Sequence, residues 1–290
     1  ILATCELWQS KTVQDKLRAK VKVSEVYKQN LASSSESEIA SMVLTGEIKK
    51  KLGVEPFSSL STFKKPLQNF FGKDVINSSI SFTLPELQAA LEAAKSFHFK
   101  GEEDRFSHKI KLPSLEINLA VGGLHSVKKV AIIPELKPDE SLIDYDVSSY
   151  YPNTVLSERI APEGIEQAFL SVYSGILESR LKAKKEGDKA RANCEKIILN
   201  ATYGKFGDKN SVFYNPKNML KVTLNCQFRL LQLIERISIA GIEILQANTD
   251  GVLSYCKNKG EETKLKEIVD AWQALAKIEM EETRYARLVM

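Results

Sequence analysis

Two aspartates occupy positions where a carboxylate could take part in chemistry. Asp146 lies near the end of a short β-type run, Leu142–Val147, and Asp250 lies in the turn Asn248–Gly251 between two apolar runs. A buried carboxylate without a partner is costly, so such side chains are poor packing residues. Two of them at one edge of a sheet would offer the hard oxygen ligands that Mg²⁺ prefers. Each aspartate taken alone is more often a turn or capping residue, and that alternative stays open at this point.

A second group of candidate residues shares one face of a predicted helix. Lys196, Asn200 and Tyr203 follow one another at spacings of four and three residues, which puts them on the same side of a helix. A cation, an amide and an aromatic ring on one face can contact phosphate, sugar and base together. The alternative is a solvated helix face with a core tyrosine. On the preceding predicted helix, Arg180 and Lys184 are also four residues apart.

These residues need a framework of strands and helices to position them. The hydrophobic periodicity predicts mostly helices before Gly101 and a mixture of strands and helices after it. Ser35 and Glu38 have the spacing of a capping box at the start of the second helix. Because the predicted strands arrive in hairpins, we expect an α+β fold with an antiparallel sheet packed on helices, rather than a doubly wound sheet. The predicted helices span 1–31, 39–51, 85–97, 165–185, 189–202, 219–240 and 265–276. The predicted strands span 109–119, 127–133, 142–147, 242–247, 252–255 and 284–290.

The composition limits the classes of function. The 290 residues are 43% hydrophobic and 27% charged, which is ordinary for a globular protein and excludes a mainly disordered chain. No apolar run approaches the roughly 20 residues of a membrane span, so no membrane partner is expected. The four cysteines form no CxxC pair and the three histidines are scattered, which argues against a zinc centre or a disulfide framework. Free thiols fit a reducing cytosol, and the net charge of +4 is a weak hint of an anionic partner.

Three motifs carry a resemblance to a known enzyme family. Asp146–Pro152 (DVSSYYP), Lys196–Gly204 (KIILNATYG) and Asn248–Asp250 (NTD) occur in this order. They resemble the polymerase motifs DxxSLYP, KxxxNSxYG and DTD of family B DNA polymerases. The segment Gly122–Ser126 is most similar to phage members of that family. The resemblance extends from this segment to about Tyr285.

The resemblance implies a nucleotidyltransferase that works with two metal ions. Asp146 and Asp250 would be the catalytic residues and would bind two Mg²⁺ ions, with the carbonyl of Val147 as a further ligand. The implied reaction is the template-directed addition of dNTPs to the 3′-hydroxyl of a primer. The implied partners are primer-template DNA, dNTPs and replication accessory proteins. The implied location is the cytoplasm, which is that of the host cell if a phage encodes the chain.

The other site residues are carried over from the same motifs. Tyr151 matches the tyrosine whose ring excludes a ribose 2′-hydroxyl, with a core tyrosine as the alternative. Tyr150, where the family usually has leucine, is expected to pack inward. Lys182 and Lys185 compete with Arg180 and Lys184 for the outer phosphates. The residues implied to bind the nucleotide are Ser149, Tyr150, Tyr151, Arg180, Lys184, Lys196 and Asn200. The residues implied to shape the base-pair pocket or to contact DNA are Tyr203, Gly204, Thr249, Gly122, Gly123, Arg284 and Tyr285.

Some positions depart from the family pattern. Asn248 replaces the first aspartate of the third motif, which removes one negative charge beside the expected metals. Thr283 stands where a KxY element has its lysine, so Arg284 or Arg287 is expected to make the phosphate contact instead. Ala120 stands in the place of the tyrosine of a YxGG element. Asn248 and Thr283 favour the alternative function, a non-catalytic relative that binds primer-template DNA as a scaffold.

The motifs also predict how the chain is divided. Residues 1–110 are expected to hold the tail of an exonuclease domain and a linker, 111–163 and 205–290 the two parts of a palm, and 164–204 the fingers. The chain begins with Ile1 and is expected to be a piece of a longer protein, without an exonuclease site or a thumb and with weak activity in isolation. The interval between the first two motifs holds little more than two helices, which favours an ordinary nucleic-acid primer. An unrelated α+β domain with chance matches would instead leave the two aspartates far apart.

Overall fold

A computed structural model describes residues 10–54, 69–100, 104–127 and 132–289. The predicted α+β class is confirmed, because every strand pair is antiparallel and helices accompany the sheets. The chain divides into two compact units, residues 1–66 with 155–219 and residues 67–154 with 220–290. The expected N-terminal segment, 1–110, is therefore shared between the units. The assignment of palm and fingers to particular ranges stays a prediction.

The elements of the described residues are numbered in chain order. The helices are α1 (Lys11–Tyr27), α2 (Glu36–Leu52), α3 (Pro85–Ser96), α4 (Tyr150–Ser157), α5 (Glu166–Glu186), α6 (Lys189–Gly207), α7 (Pro216–Ile239) and α8 (Lys259–Ala276). The strands are β1 (Phe70–Phe71), β2 (His98–Phe99), β3 (Ser107–Lys111), β4 (Glu116–Ala120), β5 (Gly123–Ser126), β6 (Ile132–Ile133), β7 (Ser141–Val147), β8 (Glu243–Ala247), β9 (Gly251–Cys256), β10 (Met280–Tyr285) and β11 (Leu288–Val289).

The first unit is built around the antiparallel helix pair α5–α6, against which α1 and α2 pack. The predicted capping box of α2 is confirmed, because the Glu38 N–H donates to the Ser35 hydroxyl and the Ser35 N–H donates to the Glu38 carboxylate. The pair turns at Gly187, whose φ of +76° is a left-handed conformation that favours glycine. The aromatic side chains of Phe169, Tyr173, Phe206 and Phe213 fill the core of the unit.

The second unit contains a four-stranded antiparallel sheet with the strand order β10-β7-β9-β8. The central strands β7 and β9 are largely buried, as their apolar sequences require. The buried α7 side chains include Leu230, Leu231 and Ile234. A second sheet, β3-β4-β5, lies beside β8. The end of β7 and the β8–β9 turn, where the candidate aspartates lie, are therefore carried by one sheet.

Two predicted strands were wrong in detail. The single strand expected over 109–119 is two strands, β3 and β4, because Leu112 and Leu115 exchange main-chain hydrogen bonds across a turn that contains Pro113. The returning strand expected over 127–133 differs in its bounds: the strand that pairs with β4 is β5, which begins at Gly123, and Ile132–Ile133 form β6, while residues 128–131 lie outside the described ranges. Helix α4 was not predicted at all.

Several predictions fall partly on residues outside the described ranges. The first helix, expected over 1–31, is confirmed over Lys11–Tyr27, and residues 1–9 lie outside. The suggested exonuclease remnant at residues 1–4 and the basic pair Lys128–Lys129 also lie outside the described residues. Among the helices of the described ranges, none combines the length and the apolar character that would let it cross a membrane.

Candidate functional site

The sheet brings the first and third motifs side by side. Asp146, near the end of β7, lies opposite Gly251, which directly follows Asp250. The Val147 N–H donates to the main-chain carbonyl oxygen of Asp250 over 2.7 Å. Both aspartates are exposed, whereas Val147 is buried. Two aspartates from distant parts of the sequence therefore lie at neighbouring backbone positions at one edge of one sheet, as the resemblance implies and as an unrelated domain would not require.

The turn that carries Asp250 is organised by Asn248. Its side-chain oxygen accepts hydrogen bonds from the N–H groups of Asp250, at 3.1 Å, and Gly251, at 2.7 Å. This arrangement is an Asx turn. An aspartate at position 248 would offer the same acceptor, so the asparagine keeps the turn while it removes one negative charge. The departure from the family motif is therefore compatible with the geometry of the turn.

Gly251 leaves room for the close approach of Asp146. A Cβ atom on Gly251 would lie 2.3 Å from Oδ1 of Asp146 and 3.3 Å from Oδ1 of Asn248. No side chain can occupy that space unless the carboxylate moves. Sequence reasoning treated this glycine only as part of a hairpin turn. The signal that it belongs to the site is its cross-strand register with Asp146, which only the paired strands reveal.

Negative charge accumulates around Asp146. Partial loss of hydration, followed by repulsion from Asp144, Asp250 and Glu281, raises the pKa of Asp146 to about 6. Burial likewise raises the pKa of Asp144, against a hydrogen bond that its carboxylate accepts from Tyr285 at 3.3 Å. Asp144, Asp146 and Glu281 lie on one face of the sheet, because side chains alternate along a strand and cross-strand partners share a face. Such a site favours the binding of a cation.

The oxygen donors available for a metal are few. No group of three or more histidine, cysteine, aspartate or glutamate side chains within the described ranges is arranged to hold a metal ion. The candidate ligands are therefore the two carboxylates of Asp146 and Asp250, with the main-chain carbonyl of Val147. These are hard oxygen ligands of the kind that Mg²⁺ takes, usually together with water and substrate oxygens.

The residues after Asp146 turn from β7 into α4. Ser149 has a φ of +50°, and the next residue begins the helix. Tyr150 is buried and its hydroxyl donates to the main-chain oxygen of Cys226 at 2.5 Å, so the expectation that it packs inward is confirmed. Its side chain is not available to a nucleotide, and only its main chain could serve in the predicted role. Tyr151 is half-buried, and its sugar-excluding role stays a prediction.

The predicted Gly122–Gly123 element lies against the third motif. A Cβ atom on Gly123 would lie 2.7 Å from Oγ1 of Thr249, and the Thr249 hydroxyl donates to the carbonyl of Leu124 at 3.5 Å. The Ala247 N–H donates to the Ser126 hydroxyl at 3.0 Å. Gly122 is exposed, with open space where a Cβ atom would be. This part of the chain therefore braces the turn that carries Asp250.

Arg284 and Tyr285 lie on opposite faces of β10. Arg284 pairs with Glu262 at 2.8 Å and with Glu282 at 2.7 Å, on the face away from Asp146. These two ion pairs already neutralise its charge and count against a contact with DNA phosphate, which stays a prediction. Tyr285 is exposed and its hydroxyl donates to Asp144, so it lies on the face of the clustered carboxylates.

The basic and amide candidates belong to the first unit. On α6, Lys196, Asn200 and Gly204 are exposed and Tyr203 is half-buried, so the predicted shared face exists and is open to solvent. On α5, Lys184 is exposed and Arg180 is half-buried. The roles of these residues in nucleotide binding stay predictions.

Comparison with known proteins gives a consistent picture. No family model matches the chain. DNA polymerase II of Escherichia coli (strain K12) is 24% identical over an alignment of 191 positions that covers 52% of this chain and 24% of that protein. The structure of the family B DNA polymerase from the hyperthermophilic archaeon Pyrobaculum calidifontis is similar with a TM-score of 0.51 and 16% identity, over 98% of this chain and 34% of that one.

These similarities support conclusions about the fold and about part of each relative. At 16% identity the archaeal structure bears on the fold alone. The chain spans about a quarter of the length of the Escherichia coli relative and about a third of the archaeal one. The similarity in sequence and the similarity in fold therefore both indicate that this chain resembles part of a family B DNA polymerase.

Proposed function

We propose that the chain is the polymerase core of a family B, phage-type DNA polymerase, which adds dNTPs to a primer 3′-hydroxyl as the template directs. The observation that carries this proposal is the hydrogen bond between Val147 and Asp250, which joins the first and third motifs at one sheet edge. The order of the three motifs, and the similarity to two polymerases, support the same function.

In this proposal the two carboxylates and the Val147 carbonyl hold two Mg²⁺ ions. Hard oxygen donors and mutual repulsion between the carboxylates fit divalent cations. When bound, such ions lower the pKa of the primer hydroxyl and stabilise charge on the transferring phosphate. Gly251 leaves the space in which the Asp146 carboxylate lies, and Asn248 holds the turn that presents Asp250.

The remaining residues bind and select the nucleotide in this proposal. Lys196, Arg180 and Lys184 neutralise the triphosphate, as charge-assisted contacts to phosphate oxygens do. Asn200 and Tyr203, which share a helix face, form one wall of the pocket for the nascent base pair. Tyr151 excludes a 2′-hydroxyl, and Ser149 contributes main-chain contacts beside it. Primer-template DNA, dNTPs and accessory proteins of replication are the proposed partners, in the cytoplasm.

Primer extension by the full chain tests the proposal. With labelled primer-template DNA, Mg²⁺ and dNTPs, the wild type is expected to add the nucleotide that the template specifies. The Asp146→Asn variant, which keeps the shape of the side chain, is expected to bind DNA but to lose extension by about a thousandfold or more. Asp139→Asn, on an exposed loop, is the matched control and is expected to extend normally. Normal extension by Asp146→Asn would overturn the assignment.

The alternative is a polymerase-like scaffold that binds primer-template DNA without catalysis. Asn248 and the position of Thr283, opposite Asp144, favour it, because both reduce the ligands and cations that the family uses. A scaffold would bind DNA with an affinity that falls with salt. It would show no gain in binding when Mg²⁺ and the matched dNTP are added together. A polymerase would show that gain.

A further inference from the structure

A cluster of three polar side chains, of which only Glu195 is fully buried, joins helices α5 and α6. The Ser179 hydroxyl on α5 donates to Oε1 of Glu195 on α6 over 2.5 Å. Arg191, also on α6, donates from Nη2 to the Ser179 hydroxyl over 2.7 Å and from Nε to the same Glu195 oxygen over 3.2 Å. The three side chains therefore close a ring between the helices.

Of the three side chains, only the Glu195 carboxylate is shielded from solvent. The Glu195 side chain is 1% exposed, whereas that of Arg191 is 39% exposed. The space bounded by Tyr27, Arg191, Cys194 and Glu195 has no room for a water molecule. Within the described part of the chain, Oε2 of Glu195 has no hydrogen-bond partner. An ion pair with one buried partner adds little net stability, because the desolvation of Glu195 offsets the attraction; its effect on the geometry of the two helices is the stronger consequence.

The cluster lies one residue from two predicted phosphate-binding cations. Ser179 directly precedes Arg180, and Glu195 directly precedes Lys196. Neighbouring residues on a helix point about 100° apart. A bond that fixes where Ser179 and Glu195 point therefore also fixes the rotation of both helices, and with it the directions of the two cations.

We propose that Ser179, Arg191 and Glu195 are positioning residues that set the separation of Arg180 and Lys196 and thereby the affinity for the nucleotide triphosphate. This inference rests on the proposed polymerase function. The cluster touches no reacting atom; it acts through the helix pair. Two cations at a defined separation match a triphosphate only when the helices hold their register, since a displacement of about 1 Å is enough to weaken such contacts strongly.

The kinetic test uses variants of the full chain in primer extension. Glu195→Gln keeps the shape and removes the charge, and it is expected to raise KM for dNTP by about tenfold with little change in kcat. Ser179→Ala should act in the same direction, and Ser179→Thr, which restores the hydroxyl, should recover most of the affinity. The matched control is Glu178→Gln, since the exposed Glu178 accepts a hydrogen bond from Ser174 within α5 alone. This control should leave KM unchanged.

A distance measurement separates this inference from the proposed function. Spin labels at the exposed Leu181 on α5 and Asn193 on α6 report the spacing of the helices by pulsed electron paramagnetic resonance. The distance distribution is expected to broaden in Glu195→Gln and Ser179→Ala, and to stay narrow in Glu178→Gln. If the wild type extends no primer, the proposed function fails, while the distances still decide the role of the cluster.

Two results would overturn the inference. One is an unchanged distance distribution in both Glu195→Gln and Ser179→Ala. The other is a normal KM for dNTP in variants whose helix spacing has broadened. If Glu195→Gln fails to fold, Ser179→Ala, which removes a single hydroxyl, carries the test alone.

Discussion

The edge of the four-stranded sheet and the helix pair α5–α6 hold their candidate residues by different means. At the sheet edge, main-chain hydrogen bonds and strand register place Asp146 beside Asp250. In the helix pair, a ring of side-chain hydrogen bonds around Glu195 joins the helices. Main-chain hydrogen bonds between strands leave the two aspartates little room to move, whereas a network of side-chain hydrogen bonds can be changed by a single substitution. We therefore expect changes at the sheet edge to affect kcat and changes in the helix pair to affect KM for the nucleotide.

Apart from the two aspartates themselves, the largest expected effect at the sheet edge comes from Gly251→Ala. The added Cβ atom would displace the Asp146 carboxylate, which lies 2.3 Å from its position, and kcat for primer extension is expected to fall by about a hundredfold. Gly175→Ala on α5 is the control, because a Cβ atom there meets open space and should stabilise the helix by roughly 0.5–1 kcal/mol. A normal kcat in Gly251→Ala would contradict the expectation that changes at the sheet edge affect kcat.

Lys196→Ala tests the helix pair in the same assay. Loss of a charge-assisted phosphate contact is expected to raise KM for dNTP by about tenfold, with kcat within about threefold of the wild type. Lys189→Ala is the control, since Lys189 is an exposed cation at the start of α6 on the same helix pair and no motif assigns it to the nucleotide. An equal loss of affinity in both variants would mean that the positive charge acts without a specific contact.

Arg284→Ala decides between a structural and a DNA-binding role for this residue. Its exposed ion pairs with Glu262 and Glu282 predict a loss of stability of about 0.5–1 kcal/mol, measured by urea unfolding. The salt dependence of DNA affinity should not change. A decrease of about one in the slope of log affinity against log salt would instead identify Arg284 as a phosphate contact.

The smallest expected effect is the stability of Asp146→Asn as a function of pH. Because the folded pKa of Asp146, about 6, lies above its ordinary value of 3.8, the stabilising contribution of the protonated form is present below pH 3.8 and is lost as pH rises through 6. In EDTA, Asp146→Asn is therefore expected to melt roughly 1 to 3 °C above the wild type at pH 8. The difference should shrink toward pH 4. A difference that does not depend on pH would contradict the electrostatic account of the site.

Local signals predicted most of the helices and the central sheet. Ser35 and Glu38 cap α2 as their spacing predicts, and the Asn248–Gly251 turn joins β8 to β9. The β3–β4 hairpin was missed because its turn interrupts an alternating pattern that continues on both sides. Helix α4 was missed because it begins at Tyr150 directly after a left-handed serine, without a helical period before it.

The sequence predicted only those site residues that belong to a recognisable motif. Asp146 and Asp250 were found from their motifs, and their adjacency follows from strand pairing. The role of Gly251 depends on a cross-strand contact, and that of Glu195 on burial by a helix more than 150 residues earlier in the chain. Neither leaves a local sequence signal, since glutamate beside lysine on a helix is typical of a solvated face.

Binding of Mn²⁺, as a stand-in for Mg²⁺, tests the central claim that Asp146 and Asp250 hold a divalent cation together. Isothermal titration calorimetry compares the wild type, the double variant Asp146→Asn/Asp250→Asn and the control Asp139→Asn. The account predicts that the wild type and the control bind Mn²⁺ alike, and that the double variant binds it about tenfold or more weakly. Equal affinity in all three proteins would contradict the account.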